Sequence, residues 1–138
     1  MKTTENPILL VEDDSVDVMT VKRALKEIHV ANPVVNFENG EDALNYLRDF
    51  NNARPCVILL DLNMPIMNGI EFLREMKNDN VLKRTPVIAL TTSEEPQDKI
   101  SCFVLGVADY IAKPVDYRQF VEIMRTIKAY WTIRGEIQ

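Results

Sequence analysis

The chain contains few of the residues that build disulfide-bonded or zinc-binding proteins. It has two cysteines, Cys56 and Cys102, and a single histidine, His29. Isolated cysteines, one entering an apolar run and one inside a helical pattern, are typical of small buried side chains in a reducing compartment, and a structural disulfide is the less favoured alternative. Since His29 has no cysteine or histidine partner in a ligand-like spacing, we do not expect a zinc site.

The chain also lacks long hydrophobic runs and an excess of basic residues. No stretch approaches the roughly 20 apolar residues of a membrane-spanning helix, and residues 1–7 contain no apolar signal core. The net charge of -5 argues against a broad surface for nucleic acid or anionic lipid. We therefore expect a cytoplasmic protein that binds neither nucleic acid nor a membrane. A length of 138 residues predicts one domain, 1–138, without an output domain.

Five short apolar runs alternate with five helix-like patterns, which is typical of successive βαβ units. The runs predict strands near 8–11, 34–37, 57–60, 87–90 and 110–112. Right-handed crossovers with helices on both faces favour an α/β, flavodoxin-like, doubly wound parallel sheet of order 2-1-3-4-5. The third helix should bury Ile70, Leu73 and Met76, and the last should present an apolar stripe ending at Trp131, so that the core extends over about 7–131.

Four of the predicted strands end in side chains that can take part in chemistry. The first is followed by Glu12 and Asp13, the third by Asp61, the fourth by Thr91 and the fifth by Lys113. Because the carboxyl ends of parallel strands meet at one edge of the sheet, these groups should converge. Clustered carboxylates repel one another, and a hard divalent cation relieves that repulsion. Oxygen ligands alone favour Mg2+ or Mn2+, with Asp13 and Asp61 as direct ligands and Glu12 binding directly or through water.

A phosphoryl group is the natural second occupant of such a site, since Mg2+ usually shares its coordination shell with phosphate. A carboxylate can act as the nucleophile in phosphoryl transfer, and Asp61, at the end of the central strand, suits that role. Lys113 can supply an ammonium group and Thr91 a hydroxyl to the transferred oxygens. Taken singly, these residues are more often surface charges, helix caps or turn residues. Their joint occurrence at four strand ends favours a site.

The ordered set of motifs resembles the receiver domain of two-component response regulators. The residues that carry the resemblance are Glu12-Asp13, the run Asp61-Leu62-Asn63-Met64-Pro65 followed by Gly69, Thr91, and Lys113-Pro114. The resemblance extends from about Pro7 to about Trp131. The run from Leu90 to Ser93 and the loop before the central strand are similar to those of stand-alone, chemotaxis-type receivers that partner cyanobacterial phytochromes.

The resemblance implies a role for each of these residues. Asp61 would accept a phosphoryl group from a sensor histidine kinase or a histidine phosphotransfer protein. Glu12, Asp13, Asp61 and the backbone carbonyl of Asn63 would hold Mg2+. Thr91 and Lys113 would bind the phosphoryl oxygens, Thr91 and Tyr110 would form the conformational switch, and the Lys113–Pro114 bond would be cis. The fourth helix, fifth strand and fifth helix would contact a downstream protein or a second copy of the chain.

Two departures and two rival functions bear on this interpretation. Glu12 stands where many receivers have Asp, and Asn63 and Ser93 occupy positions that tune phosphoryl lifetime in the family. A phosphohydrolase with Asp61 as its nucleophile would place an acid two residues further on, where this chain has Asn63. A flavin-phosphate module would need Ser, Thr or Gly after the first strand, where acids stand instead. We therefore expect a signalling protein, not an enzyme, with only autophosphorylation and autodephosphorylation as intrinsic activities.

Overall fold

The computed structural model describes residues 6–92, 95–113 and 116–127. Within these ranges five β-strands alternate with five α-helices. The strands are β1 (Ile8–Val11), β2 (Val34–Phe37), β3 (Val57–Leu60), β4 (Val87–Thr91) and β5 (Asp109–Ala112). The helices are α1 (Ser15–Glu27), α2 (Gly40–Arg48), α3 (Gly69–Lys77), α4 (Pro96–Val104) and α5 (Tyr117–Thr126). None of the described helices is both long enough and apolar enough to cross a bilayer.

The five strands form one parallel sheet in the order β2-β1-β3-β4-β5, which confirms the predicted flavodoxin-like topology. β1 lies between β2 and β3, with Leu10 opposite both Asn36 and Leu59. All residues of β1, β3 and β4 are buried. Their apolar runs show no alternation because helices cover both faces of the sheet.

The sheet divides the apolar interior into two clusters. Alternate strand residues such as Ile8 and Leu59 pack with α1 and α5 on one face. Their neighbours Leu9 and Ile58 pack with α2, α3 and α4 on the other face. Because helices cover both faces of the sheet, the apolar interior consists of one layer on each side.

Four of the five helices described begin at a residue whose side chain accepts hydrogen bonds from the first turn. Asp14 caps α1, Asn39 caps α2, Asn68 caps α3 and Asp116 caps α5. Asn68 forms a reciprocal capping box with Glu71. These caps satisfy backbone N–H groups that would otherwise lack a partner. At α5 the Asp116 carboxylate accepts from the backbone N–H of Arg118 at 3.0 Å.

Several local details differ from the sequence-based expectations. In α3, Phe72 is fully buried together with Leu73 and Met76, while Ile70 is only partly buried. The connection between α3 and β4 contains a 3-10 turn, Leu82–Arg84, whose Leu82 is fully buried. The expectations that concern Ser93, Pro114 and Trp131, including the cis bond, lie outside the described residues.

Candidate functional site

The backbone of the sheet aligns the ends of the strands that carry the predicted groups. The N–H of Glu12 donates to the Phe37 carbonyl at 2.8 Å, and the N–H of Asp61 donates to the Val11 carbonyl at 3.0 Å. At the other side of the sheet, the N–H of Lys113 donates to the Thr91 carbonyl at 2.9 Å. Because these bonds continue the parallel ladder past the last strand residues, the side chains that follow are held by the sheet.

Three carboxylates meet at this edge, as the sequence predicts. Oxygen atoms of Glu12, Asp13 and Asp61 all lie within 4.8 Å of one another. Glu12 is 2% exposed and Asp61 7%, whereas Asp13 is exposed to solvent. An all-oxygen donor set with one solvent-facing member fits Mg2+ or Mn2+, which keep water in their coordination shells.

Lys113 lies among these carboxylates. Its Nζ donates to Glu12 Oε1 and, at 2.8 Å, to Asp17 Oδ2, and it lies 3.9 Å from Asp61 Oδ2. Burial acts to lower the pKa of Lys113, but the hydrogen bonds to Asp17 and Glu12 and the charges of Glu12 and Asp61 outweigh it and raise the pKa. The ammonium group therefore stays charged and paired inside the site.

The environment of Glu12 opposes its ionisation. Burial is the main cause that raises the pKa of Glu12 to about 7, and the charge of Asp61 adds to it. The hydrogen bond and charge of Lys113, and the N–H of Asp14 at 3.2 Å from Glu12 Oε2, act in the opposite direction. A cation bound at this cluster would favour the ionised carboxylate for the same electrostatic reason.

Thr91 and Tyr110 lie on the neighbouring strands β4 and β5. Thr91 is fully buried at the end of β4. Tyr110 is partly buried, pairs in register with Ala89, and has Lys99 Nζ of α4 at 5.9 Å from its ring centroid. The two proposed switch residues are therefore on adjacent strands, with Tyr110 next to α4.

The loop that follows Asp61 is fixed to the site at both ends. The Asn63 N–H donates to Asp61 Oδ1 at 3.4 Å, and the Gly69 N–H donates to the Leu62 carbonyl at 3.0 Å. A Cβ atom at position 69 would lie 2.6 Å from Leu62 Cα and 2.8 Å from the Asp61 carbonyl oxygen. Glycine is required here by close approach to the backbone that carries Asp61.

Two residues that contact the site were not predicted from the sequence. Asp17 lies in the first turn of α1 and binds Lys113. Asn36 of β2 donates from its amide nitrogen to the carbonyls of Leu10, at 2.9 Å, and Glu12, at 3.2 Å. Asp17, an acid in the first turn of the helix that directly follows Glu12 and Asp13, was a signal of a further carboxylate near the site. Asn36, within an otherwise apolar strand, was another.

A parallel sheet of order 2-1-3-4-5, with acids, a threonine and a lysine at its carboxyl edge, is the arrangement of phosphorylation-controlled receiver domains. The family model described as "Response regulator receiver domain" matches residues 8–125, and the chain belongs to this family. Receiver domains act in two-component signal transduction, receive phosphoryl groups from histidine kinases and bind divalent metal ions. The family and fold predicted from the sequence are thus confirmed.

Relatives with similar sequences include response regulator Rcp1 of Synechocystis sp., which is 35% identical over 95% of this chain and 94% of that protein. Protein PilH of Pseudomonas aeruginosa is 32% identical over 88% of this chain and 97% of that protein. Among solved structures, the phosphorylated cyanobacterial phytochrome response regulator RcpA is 38% identical, with a TM-score of 0.84 over 93% of this chain and 94% of that chain. Mn2+-bound Rcp1 is 35% identical, with a TM-score of 0.83 over 91% and 94% of the two chains.

Proposed function

We propose that this chain is a Mg2+-dependent phosphoacceptor switch in which Asp61 receives a phosphoryl group from a sensor histidine kinase or a histidine phosphotransfer protein. The observation that carries the proposal is the position of Asp61. Its carboxylate is almost buried at the end of the central strand, within 4.8 Å of the Glu12 and Asp13 oxygens and 3.9 Å from the Lys113 ammonium. The match to Mn2+-bound Rcp1 supports divalent-cation binding by this chain.

The side chains of Glu12, Asp13 and Asp61 and the backbone carbonyl of Asn63 would hold Mg2+, with Mn2+ as an alternative. The bound cation supplies positive charge that offsets the carboxylates and the transferred oxygens. In the transfer, a bond forms between an Asp61 oxygen and phosphorus while the phosphorus–nitrogen bond of the donor phosphohistidine breaks, and the leaving imidazole keeps the electron pair and takes up a proton. Lys113 and Thr91 donate hydrogen bonds to the phosphoryl oxygens.

We propose that phosphorylation produces output by shifting the population between two conformations of the domain. Thr91 moving toward the phosphoryl group leaves space into which Tyr110 turns, and Tyr110 lies beside α4. Three large apolar residues of α4 are exposed, namely Ile100, Phe103 and Val104. We propose that the face formed by α4, β5 and α5 contacts a downstream protein or a second copy of this chain, so that 1–138 acts as one receiver domain in the cytoplasm through protein contacts and not through nucleic acid or a membrane.

The test is labelling by acetyl phosphate in the presence of Mg2+, followed by the intact mass of the protein. We expect Asp61→Asn to abolish the mass gain of one phosphoryl group, because the amide cannot act as the nucleophile. Asp14→Asn is the matched control: it removes a neighbouring carboxylate, while asparagine still caps α1. Asp14→Asn should label as the unmodified protein does.

Stoichiometric labelling retained by Asp61→Asn would place the acceptor elsewhere. Hydrolysis of an aryl phosphate by the unmodified chain and by Asp61→Ala tests the rival function, a phosphohydrolase. Sustained turnover that Asp61→Ala abolishes would favour a phosphohydrolase over a switch.

A further inference from the structure

Asp17 binds the ammonium of Lys113 from outside the strand-end cluster. It projects from the first turn of α1, and its Oδ2 lies 2.8 Å from Lys113 Nζ. Glu12 binds the same nitrogen, while Asp61 Oδ2 lies 3.9 Å away, beyond hydrogen-bond distance. In the structure Lys113 therefore donates hydrogen bonds to Glu12 and Asp17 and has only a longer ion pair with the proposed phosphoacceptor.

An ammonium group has three N–H donors, and two of them point to these carboxylates. Phosphorylation of Asp61 would add oxygens that need the same nitrogen as a donor. The third donor is available for these oxygens, but Asp61 Oδ2 lies 3.9 Å from Lys113 Nζ, so we expect the ammonium to move toward Asp61 and one of its two present hydrogen bonds to weaken. The cost depends on which of the two bonds is weakened.

The two partners differ in how well they tolerate losing the ammonium. The Glu12 side chain is 2% exposed, so water cannot replace Lys113 there, and only the proposed cation would remain to offset the charge of an ionised Glu12. The Asp17 side chain is 36% exposed. It also lines a cavity of about 260 Å3 between α1 and the start of α5, together with Thr20, Val21, Arg23, Tyr117, Phe120 and Lys113. Water can therefore solvate Asp17 once Lys113 has left.

We propose that Asp17 is a positioning residue that competes with the phosphoryl group on Asp61 for the Lys113 ammonium. The inference rests on the proposed function of Asp61 and Lys113 and assigns Asp17 a regulatory part in it. Asp17 holds Lys113 on the α1 side of the site before phosphorylation, and it is the partner that Lys113 releases when the phosphoryl group arrives. The Asp17 carboxylate thereby lowers the affinity of the site for the phosphoryl group and determines how readily phosphorylation occurs.

The experiment compares the unmodified chain with Asp17→Asn at saturating Mg2+. Beryllofluoride, a phosphoryl mimic, is titrated and its bound fraction followed by 19F NMR, and the labelling rate with acetyl phosphate is measured in parallel. We expect Asp17→Asn to bind beryllofluoride roughly three- to fivefold more tightly and to label faster by a similar factor, the scale of a partly exposed ion pair. Glu27→Gln is the matched control, because it removes one charge from the far end of α1, where Glu27 accepts from the Tyr117 hydroxyl. It should change neither quantity.

A double-mutant cycle separates the ion pair from a general effect of charge or folding. In a Lys113→Ala background, Asp17→Asn should no longer raise the labelling rate, because the ammonium for which it competes is gone. An equal gain in that background, an equal gain with Glu27→Gln, or unchanged or weaker beryllofluoride binding by Asp17→Asn would each overturn the inference. A wild-type chain that neither binds beryllofluoride nor labels would instead refute the proposed function.

Discussion

Ile66 stores backbone strain in the loop between Asp61 and α3. Its φ angle is 68°, in the left-handed region, and its side chain is 75% exposed. A β-branched residue in that region costs about 1–2 kcal/mol, and little burial compensates for it here. The loop is tethered at both ends by the contacts of Asn63 and Gly69, which hold the strained residue in place.

We expect Ile66→Asn to raise the free energy of unfolding by about 1 kcal/mol, since asparagine adopts the left-handed region more readily. Urea denaturation followed by circular dichroism measures this change. Val16→Asn is the control, because Val16 is similarly exposed, at 67%, but lies in the helical backbone of α1. An equal gain in both variants would show that removing an exposed apolar side chain, and not relief of strain, is responsible.

Gly69 and Gly40 offer a matched pair at the first position of two helices, each preceded by a capping asparagine. A Cβ at 69 would meet the backbone of Leu62 at 2.6 Å, whereas a Cβ at 40 would meet the flexible side chain of Met67 at 3.1 Å and its carbonyl oxygen at 3.1 Å. We expect Gly69→Ala to destabilise the chain by about 1–3 kcal/mol, and Gly40→Ala by clearly less. Gly69→Ala should also weaken phosphoryl labelling, because the clash displaces the segment that carries Asp61. Similar denaturation midpoints for the two variants would contradict this account.

At the scale of elements, α4 is the helix with the weakest attachment to the rest of the described fold. Cys102 is its one buried residue in nine, and its capping position, Glu95, forms no side-chain cap bond. The other four helices described each bury three or four residues. Local opening draws on elements with few buried apolar contacts, so α4 should open before the sheet does.

The two cysteines can test this because each is fully buried in a different cluster. Cys56 packs on the side of α1 and α5, and Cys102 on the side of α2, α3 and α4. Burial, with a contribution from the charge of Asp98, raises the pKa of Cys102 to about 11, so its reaction near neutral pH is slow while the helix stays folded. In low urea we expect an alkylating reagent to modify Cys102 before Cys56, measured peptide by peptide by mass spectrometry. Equal rates, corrected for the unfolded thiols, would mean that α4 opens only with the whole domain.

The elements also show what the sequence could and could not predict. The strand ends were predictable because an apolar run fixes where a buried strand stops, and parallel strands bring those stops to one edge. Contacts made by the helices were harder to predict. The ion pair between Lys113 and Asp17 depends on how α1 lies against the sheet, and a periodic pattern does not define that orientation. The 3-10 turn at Leu82 was missed because Asp79, whose carboxylate accepts from the N–H groups of Val81 and Leu82, creates it through local hydrogen bonds and not through periodicity.

At the scale of the whole molecule, the acidic cluster links folding to metal binding. Carboxylate oxygens held within 4.8 Å repel one another in the native state but separate on unfolding. A cation that binds the native cluster stabilises the fold by RT ln(1 + [L]/Kd), which is about 1.4 kcal/mol at a concentration ten times the Kd.

We therefore expect Mg2+ at ten times its Kd to raise the melting temperature by about 3–7 °C for a chain of this length. Differential scanning calorimetry with Mg2+, and with EDTA in NaCl of the same ionic strength, measures the shift. Asp13→Asn should reduce or abolish it, since that variant loses a proposed ligand that is exposed to solvent. A shift of equal size in Asp13→Asn would assign the stabilisation to ions bound elsewhere.

Because the sheet separates the apolar interior into two layers, one layer can be altered by mutation without disturbing the other. Phe72 fills the layer beneath α2, α3 and α4, while Lys113 and Asp17 line the hollow between α1 and α5 on the opposite face. Replacing Phe72 by a smaller apolar residue would leave a dry cavity on the side of the sheet away from the Lys113–Asp17 ion pair. Small apolar compounds can occupy such cavities. The stability of this response regulator, and hence its abundance, could thus be made to depend on an added compound without altering the partners of Lys113.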